Sequence, residues 1–333
     1  MEKVTGTSMN ENTFDVIEVR QEEKETSLTL TYDKSMKYIE QSKAQNTRKA
    51  YRSDWSHFIK WCEEKGVSPL PATPEIVGGY ISDLADKRFK ASTIQRRIAS
   101  ISQAHETAGV DNPTKTAYVR TVWKGIKNEL GTAPQQKKAA SVEIIKMIVE
   151  QLPTSLLGVR DRALLLIGWN GGFRRSELVA LNLEDAEFSH EGVTLYIRKS
   201  KTDQEGKGRK VAIPFGSHPT TCPVRSLQRW INEANIKSGP LFRKIDRHGN
   251  VSDRLTGDGV AYIIKRACEN AGFDPKEFAG HSLRRGFITT AARKGKSESS
   301  IMRQTGHKSI QTMRRYIEEA DLFKENAAEG LGL

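Results

Sequence analysis

Hydrophobic positions recur with helical spacing through the first half of the chain. Between Asn46 and Lys65, Tyr51, Trp55, Phe58 and Trp61 fall at i, i+4, i+7 and i+10. That is one apolar face of a helix, and it reads as core. Lys49, Arg52 and Lys60 lie off the stripe. Residues 74–87 form a second helical pattern, with Thr73 as N-cap and Pro74 at the first helical position. Residues 91–109 place Ile94, Ile98 and Ile101 on one side, with Gln95, Arg96 and Arg97 beside them. A further helix over 114–130 ends at Gly131, a natural C-cap.

The second half is mixed. Helical patterns fall at 141–152 and 159–170. Residues 193–199 then alternate, with Val193, Leu195 and Ile197 on one face and Thr194, Tyr196 and Arg198 on the other, as in a half-buried strand. A second short strand, Lys210 to Pro214, follows a turn containing Gly206 and Gly208, which predicts a hairpin with Lys201 near the end of its first strand. Helices resume at 223–235, 257–271, 283–294, 297–305 and 309–318. The fold class is mainly α with a small β component: a helical N-terminal domain followed by an α+β domain. No internal repeat is visible.

Composition narrows the setting. The apolar run from Ala163 to Trp169 is the longest, far below the ~20 residues of a membrane helix, and the first 25 residues lack the pattern of a signal peptide. Cys62, Cys222 and Cys268 are odd in number and widely spaced, so a reducing cytosol is expected rather than a disulfide framework or a zinc site. The formal net charge of +12 invites a polyanionic partner. Residues 1–27 hold three Lys/Arg and seven Asp/Glu and read as a disordered acidic tail. Residues 28–138 hold nineteen against eleven, and residues 139–333 thirty-one against twenty-three, so each half carries +8. The expected domains are 28–130 and 139–333, joined by a polar linker at 131–138.

Five polar clusters fall in the second domain: Gly171-Gly-Phe-Arg-Arg-Ser-Glu-Leu178, Lys199-Ser-Lys201-Thr202, His281-Ser-Leu-Arg284, Gly306-His307, and Tyr316 nine residues later. Singly, each is commonplace on a protein surface or in a core. His281 and Arg284 at i, i+3 are expected to project from one helix face. His281 and His307 find no third ligand at metal-binding spacing, and neither a P-loop nor a carboxylate cluster is present.

In this order the set resembles the active site of the tyrosine site-specific recombinases, the integrase family. There an arginine lies in G-x-R-x-S-E-L, a lysine on a β-hairpin, then H-x-x-R, G-H, and a tyrosine nine residues on. The R-x-x-E spacing to Glu177 selects Arg174 over Arg175, H-x-x-R selects Arg284 over Arg285, and the Lys-Thr pair selects Lys201 from Lys199, Lys207 and Lys210. Arg175 stands where many relatives carry an apolar residue, leaving a DNA contact or an ion pair open. The helical first half is similar to the family's core-binding domain, and Asn46–Trp61 and Ser92–Arg96 look closest to a phage member.

The resemblance implies a metal-free, ATP-free cut and rejoining of duplex DNA. Tyr316 would attack the phosphorus, Arg174 and Arg284 would grip its oxygens, and His281 would move a proton. Lys201 would be the general acid, His307 would donate to the phosphate, and Glu177 would orient a neighbour. The resemblance also implies a two-domain clamp on DNA, with Thr47, Lys49, Arg52, Lys90, Ser92, Gln95 and Arg96 as candidate contacts. It implies a homotetramer on two inverted-repeat sites, assembled by exchange of a C-terminal segment, 322–333, and a prokaryotic or phage-encoded protein of the cytoplasmic nucleoid. A type IB topoisomerase uses similar groups without recombining; a DNA-binding protein that had lost activity would not need the complete polar set.

Overall fold

The computed structural model describes residues 45–133, 136–203, 205–311, 313, 314 and 316. It divides into two compact units, Met1–Pro134 and Gln135–Leu333. The acidic segment 1–27, the start of the helical region at 28–44 and the C-terminal segment 322–333 lie outside the described residues.

The first unit is helical: α1 (Gln45–Lys65), α2 (Pro74–Asp86), α3 (Ala91–Ala108) and α4 (Ala117–Leu130). Thr73 caps α2, its hydroxyl accepting from the Ile76 N–H at 3.4 Å, and Gly109 ends α3 at φ +68°. The pattern expected as one helix over 114–130 is split. Asn112 caps a single 3₁₀ turn, Pro113–Lys115, and extended Thr116 then starts α4 by accepting from the Val119 N–H. Side chains that bond the local backbone favour such caps over helix interior.

Of the aromatic stripe of α1, Trp55, Phe58 and Trp61 are core as the period requires, while Tyr51, nearer the start of the helix, is half-buried outside that core. Trp55, Phe58 and Trp61 pack with Tyr80, Ile81 and Leu84 of α2, Ile94 and Ile101 of α3, and Val119 and Ile126 of α4. Phe58 is fully buried and meets Tyr80 edge-on at 4.9 Å, a burial worth about 1.5–3 kcal/mol.

The second unit contains α5 (Val142–Glu150), α6 (Leu156–Asn170), α7 (Arg175–Ala180), β1 (Ala186–Phe188), β2 (Gly192–Ile197), β3 (Arg209–Pro214), α8 (Pro223–Glu233), β4 (Arg243–Ile245), β5 (Val251–Arg254), α9 (Gly257–Asn270), α10 (Ser282–Arg293) and α11 (Glu298–Thr305). The described residues from 310 to 316 are helical. Strands β1, β2 and β3 form an antiparallel sheet in that order, and β4 pairs with β5. In β2, Val193, Leu195 and Ile197 face the core while Tyr196 is exposed, as the alternation requires. The strand stops at Ile197, opposite Arg209, two residues before its expected end.

Helix α6 is buried along most of its length and packs on α8 and α10. Gly286 lets α10 approach the chain at residue 140: a Cβ there would lie 1.7 Å from the Ala140 carbonyl oxygen. The Trp169 indole donates to that same oxygen at 2.8 Å. Residues 137 and 138, assigned by composition to the linker, are tied to the second unit. The Lys138 N–H donates to the Glu277 carbonyl at 2.7 Å, and Arg285 donates to the Lys137 carbonyl at 2.6 Å. Cys62, Cys222 and Cys268 are free and buried. No helix among the described residues is long and apolar enough to cross a membrane.

Candidate active site

Arg174 lies where α6 stops. Gly172 turns the chain at φ +56°, and a Cβ there would stand 2.8 Å from the Thr305 methyl carbon, so the turn needs glycine. Phe173 then enters the core and extended Arg174 becomes the N-cap of α7. Glu177 folds back on that cap. It accepts from the Arg174 N–H at 2.9 Å and from Arg174 Nη1 at 2.7 Å. Glu177 is 1% exposed, so this is a desolvated, charge-assisted pair. The same carboxylate also accepts from Arg209 Nη2 at 3.2 Å.

Arg284, in the first turn of α10, is buried and reaches the same place from the other side. Its Nη1 donates to the Gly172 and Thr305 carbonyls, each at 2.7 Å, and its Nη2 lies 3.0 Å from His307 Nε2. Burial, reinforced by the Arg174 charge, pushes this guanidinium down to about 9, so it stays charged at neutral pH.

His307 follows Gly306, the left-handed residue that ends α11 at φ +68°. Its tautomer follows from Thr305. The Thr305 hydroxyl has one proton and lies 2.7 Å from the Ile301 carbonyl, which only accepts. Thr305 Oγ1 therefore accepts from His307 Nδ1, also at 2.7 Å, and Arg284 Nη2 lies against the ring, 3.2 Å from Nδ1 and 3.0 Å from Nε2. Burial first, then the charges of Arg284, Arg174 and Arg209, push the imidazole down to about 3. In this arrangement its N–H is engaged by Thr305. A hydrogen bond from His307 to a phosphate needs a change of partner or protonation driven by the anion.

His281 is not inside the helix with Arg284, as its i, i+3 spacing suggested. It is the residue before α10, at φ −87°, ψ −10°, and it is exposed while Arg284 is buried. The two side chains therefore occupy different depths. Its pKa is lowered by loss of hydration, the largest influence despite its solvent access, and then by Arg175, Arg284, Arg174 and Lys201. Arg175 packs its stem against Gly280, where a Cβ would stand 1.9 Å from Arg175 Cδ. It donates to the Gly257 carbonyl at 3.2 Å and pairs with Asp258 at 3.5 Å, so of the two options left open for it, the ion pair is present.

Lys201 lies in the turn joining β2 to β3 and is exposed. The turn is shaped by Asp203, whose carboxylate accepts from the N–H groups of Lys207 at 3.2 Å and Gly208 at 2.8 Å. Thr202 ties it to the histidine turn by donating to the Gly306 carbonyl at 3.4 Å. A cavity of about 200 Å³ between these turns is lined by Ser200, Thr202, Lys207, Arg209 and His307, among others. Tyr316 is half-buried; its ring centre lies 6.3 Å from that of His307, and the Arg285 guanidinium sits 5.9 Å from it. Arg174 and Glu177 form one bonded pair and Arg284 and His307 another, and Arg209 joins the two through Glu177 and the Thr305 carbonyl. Lys201 and His281 stand at the exposed side of this cluster and Tyr316 beside His307. Arg209, which belongs to the cluster, was missed: an arginine starting a strand carries no motif. Among the described residues no three His, Cys, Asp or Glu side chains converge as a metal site.

In the first unit, Lys49, Arg52, Lys90, Ser92, Gln95 and Arg96 are exposed and Thr47 is half-buried, on or beside α1 and α3, which pack together. Arg96 is held from below by buried Asp54, with Nε 2.8 Å from Oδ2 and Nη2 donating to Oδ1 at 3.0 Å. Arg97 is core instead. It contacts the His57 ring nitrogens at 3.1 Å and stacks 4.6 Å from the Phe89 ring centre.

Comparison with known proteins places this geometry. Residues 141–322 match the phage integrase family, and residues 35–108 match the phage integrase N-terminal SAM-like domain. An integrase/recombinase XerD homolog of Selenomonas ruminantium is 43% identical over 299 residues, covering 88% of this chain and 87% of its own. Recombinase cre of Escherichia phage P1 is 22% identical over 302 residues, covering 84% and 86%. The expected likeness to a phage recombinase is thus present, and the XerD homolog shares more identity. Among solved structures, the Tn1549 transposon integrase in complex with circular intermediate DNA superposes with a TM-score of 0.61 at 17% identity, covering 86% of this chain and 93% of that one, a likeness of fold. With a family match spanning more than half its length, the chain belongs to the phage integrase family.

Proposed function

We propose that the protein is a site-specific DNA recombinase that cuts and rejoins duplex DNA through a phosphotyrosyl intermediate on Tyr316. The observation that carries this reading is the gathering of two bonded pairs, Arg174–Glu177 and Arg284–His307, joined through Arg209 and set beside the Tyr316 ring. Cleaving a phosphodiester without a cofactor requires a nucleophile, an acid for the leaving group, and cations for charge developing on the phosphoryl oxygens. Planar guanidinium groups suit the last task because each offers paired donors. Arg174 and Arg284 approach from α7 and α10 and are already held by the protein, so little reorganisation accompanies charge development. One preorganised donor of this kind contributes about 3–4 kcal/mol to the transition state.

The phenol of Tyr316 forms a bond to phosphorus as the bond to the 5′-oxygen breaks. The phenolic proton goes to His281, whose lowered pKa keeps its ring neutral and able to accept at neutral pH. Lys201, on the turn docked at Gly306, protonates the departing 5′-oxygen. The 3′-phosphotyrosyl ester conserves the energy of the broken bond, so a 5′-hydroxyl from another strand reverses the step. DNA contact by α1 and α3 through Lys49, Arg52, Ser92, Gln95 and Arg96, with Thr47 and Lys90 beside them, fits their exposure and charge. By the same reading the protein assembles as a tetramer on two inverted-repeat sites of a prokaryotic nucleoid.

The test uses a duplex carrying the target site, nicked so that cleavage releases a short strand and cannot reverse. The wild-type protein accumulates a covalent complex. Tyr316→Phe binds the DNA with unchanged affinity and forms none. Covalent product from the Phe variant contradicts the assignment.

A further inference from the structure

Arg209 has no place in the chemistry above, yet its contacts join the separate parts of the site. It opens β3, opposite Ile197, and its guanidinium turns away from the sheet. Nη2 donates to Glu177 Oε2 at 3.2 Å and to the Thr305 carbonyl at 3.4 Å, and Nη1 donates to the Gln304 carbonyl at 2.8 Å. It lies 5.9 Å from the Phe173 ring centre. Glycine at 306 leaves room for it: a Cβ there would stand 2.6 Å from Arg209 Nε.

The bonds fall into two halves. On one side Glu177 holds Arg174. On the other, the Thr305 carbonyl receives Arg284 and the Thr305 hydroxyl receives His307. Arg209 bonds the carboxylate of the first half and the carbonyl of the second. It also ties both to β3, the strand that leaves the Lys201 turn. The Gln304 amide adds to this frame by donating to the Asn170 and Ala212 carbonyls at 3.1 and 3.0 Å.

We infer that Arg209 is a positioning residue for strand cleavage: it sets the spacing between Arg174 and the Arg284–His307 pair by bridging Glu177 to the end of α11. A lysine at this position reaches one acceptor, whereas the planar fork spans the carboxylate and two carbonyls at once. The two phosphate-gripping arginines must meet the same phosphoryl group, and a misplacement of about 1 Å in such a site lowers the rate about 100-fold. The inference rests on the strand-cleavage reading.

The experiment measures single-turnover cleavage of the nicked duplex at saturating protein, together with DNA affinity and thermal unfolding. Wild-type protein, Arg209→Gln, Arg209→Lys, Glu177→Gln and the Glu177→Gln/Arg209→Gln double variant are compared. Arg209→Gln is expected to keep its DNA affinity within about threefold while cleavage slows about 100-fold. Arg209→Lys recovers part of that loss. The double variant is no slower than the slower single variant, because both substitutions act through the same link. Cleavage by Arg209→Gln at the wild-type rate overturns the inference. So do multiplicative losses in the double variant, or a rate loss matched by an equal loss of affinity. If Arg209→Gln fails to fold, the decision passes to Arg209→Lys, where an unchanged rate overturns the inference. Failure of the wild-type protein to form any covalent complex is the separate result that removes the strand-cleavage reading itself.

Discussion

Replacing Glu177 by alanine removes the carboxylate from a cluster that contains Arg174, Arg209 and Arg284. The Glu177 side chain has no solvent exposure, and the Arg174 and Arg209 side chains keep only 12% and 19%. Water therefore replaces little of what is lost. Three hydrogen bonds disappear: those from the Arg174 N–H, Arg174 Nη1 and Arg209 Nη2. Like charges are left facing one another. Breaking a buried pair by removing one partner destabilises by about 3–5 kcal/mol. Each kcal/mol lowers Tm by about 2–4 °C in a unit of 150–250 residues, so a loss of about 6–20 °C is expected for the second unit, Gln135–Leu333. Differential scanning calorimetry of the full chain reads this as a shift of one transition. Glu177→Gln keeps the volume and one acceptor oxygen, so a loss nearly as large as that of alanine assigns the effect to charge rather than to a cavity. A destabilisation below about 1 kcal/mol for Glu177→Ala would mean that the arginines are adequately solvated without it, and the burial argument would fail.

Two further outcomes follow from the charges of the site. Because the pKa of His281 is depressed from 6.5, the neutral ring persists as pH falls through that value. The acid limb of single-turnover cleavage is expected below pH 6.5 and absent in a slow but measurable His281→Asn variant; an acid limb at or above 6.5 refutes the proton-transfer role. DNA affinity, read by fluorescence anisotropy, should fall steeply and linearly in log–log form with salt, because each neutralised phosphate releases counterion at a slope of about −0.9. Lys49→Ala and Arg52→Ala should each flatten that slope by about one. A slope that neither substitution changes removes α1 from the interface.

Much of the architecture was legible because its signals are local. The aromatic period of α1, the Thr73–Pro74 start of α2, Gly131 after α4 and the alternation of β2 are set by near neighbours, and the structure follows them. Where expectation and structure part, longer-range partners decide. The pair β4–β5 is short and mostly polar, so no periodicity announced it. His281 and Arg284 do not share a helix face, because His281 is the residue before α10 and is exposed while Arg284 is buried, a difference that i, i+3 spacing alone does not carry. Arg97 looked like its exposed neighbours until His57, Tyr80 and Phe89 from other segments enclosed it. The candidate site was legible as an ordered set of motifs. Its wiring was not: Arg209 is joined to residues 32 and 96 positions away, and only the folded chain brings them together.

The central claim is that Tyr316 becomes covalently joined to DNA. The most direct measurement is proteolysis of the trapped wild-type complex, nuclease digestion of the strand, and mass spectrometry of the remaining peptide. The account predicts nucleotide mass on the peptide containing Tyr316, linked through its phenolic oxygen. The same mass on any other residue, or a cleaved strand with no peptide attached, contradicts it.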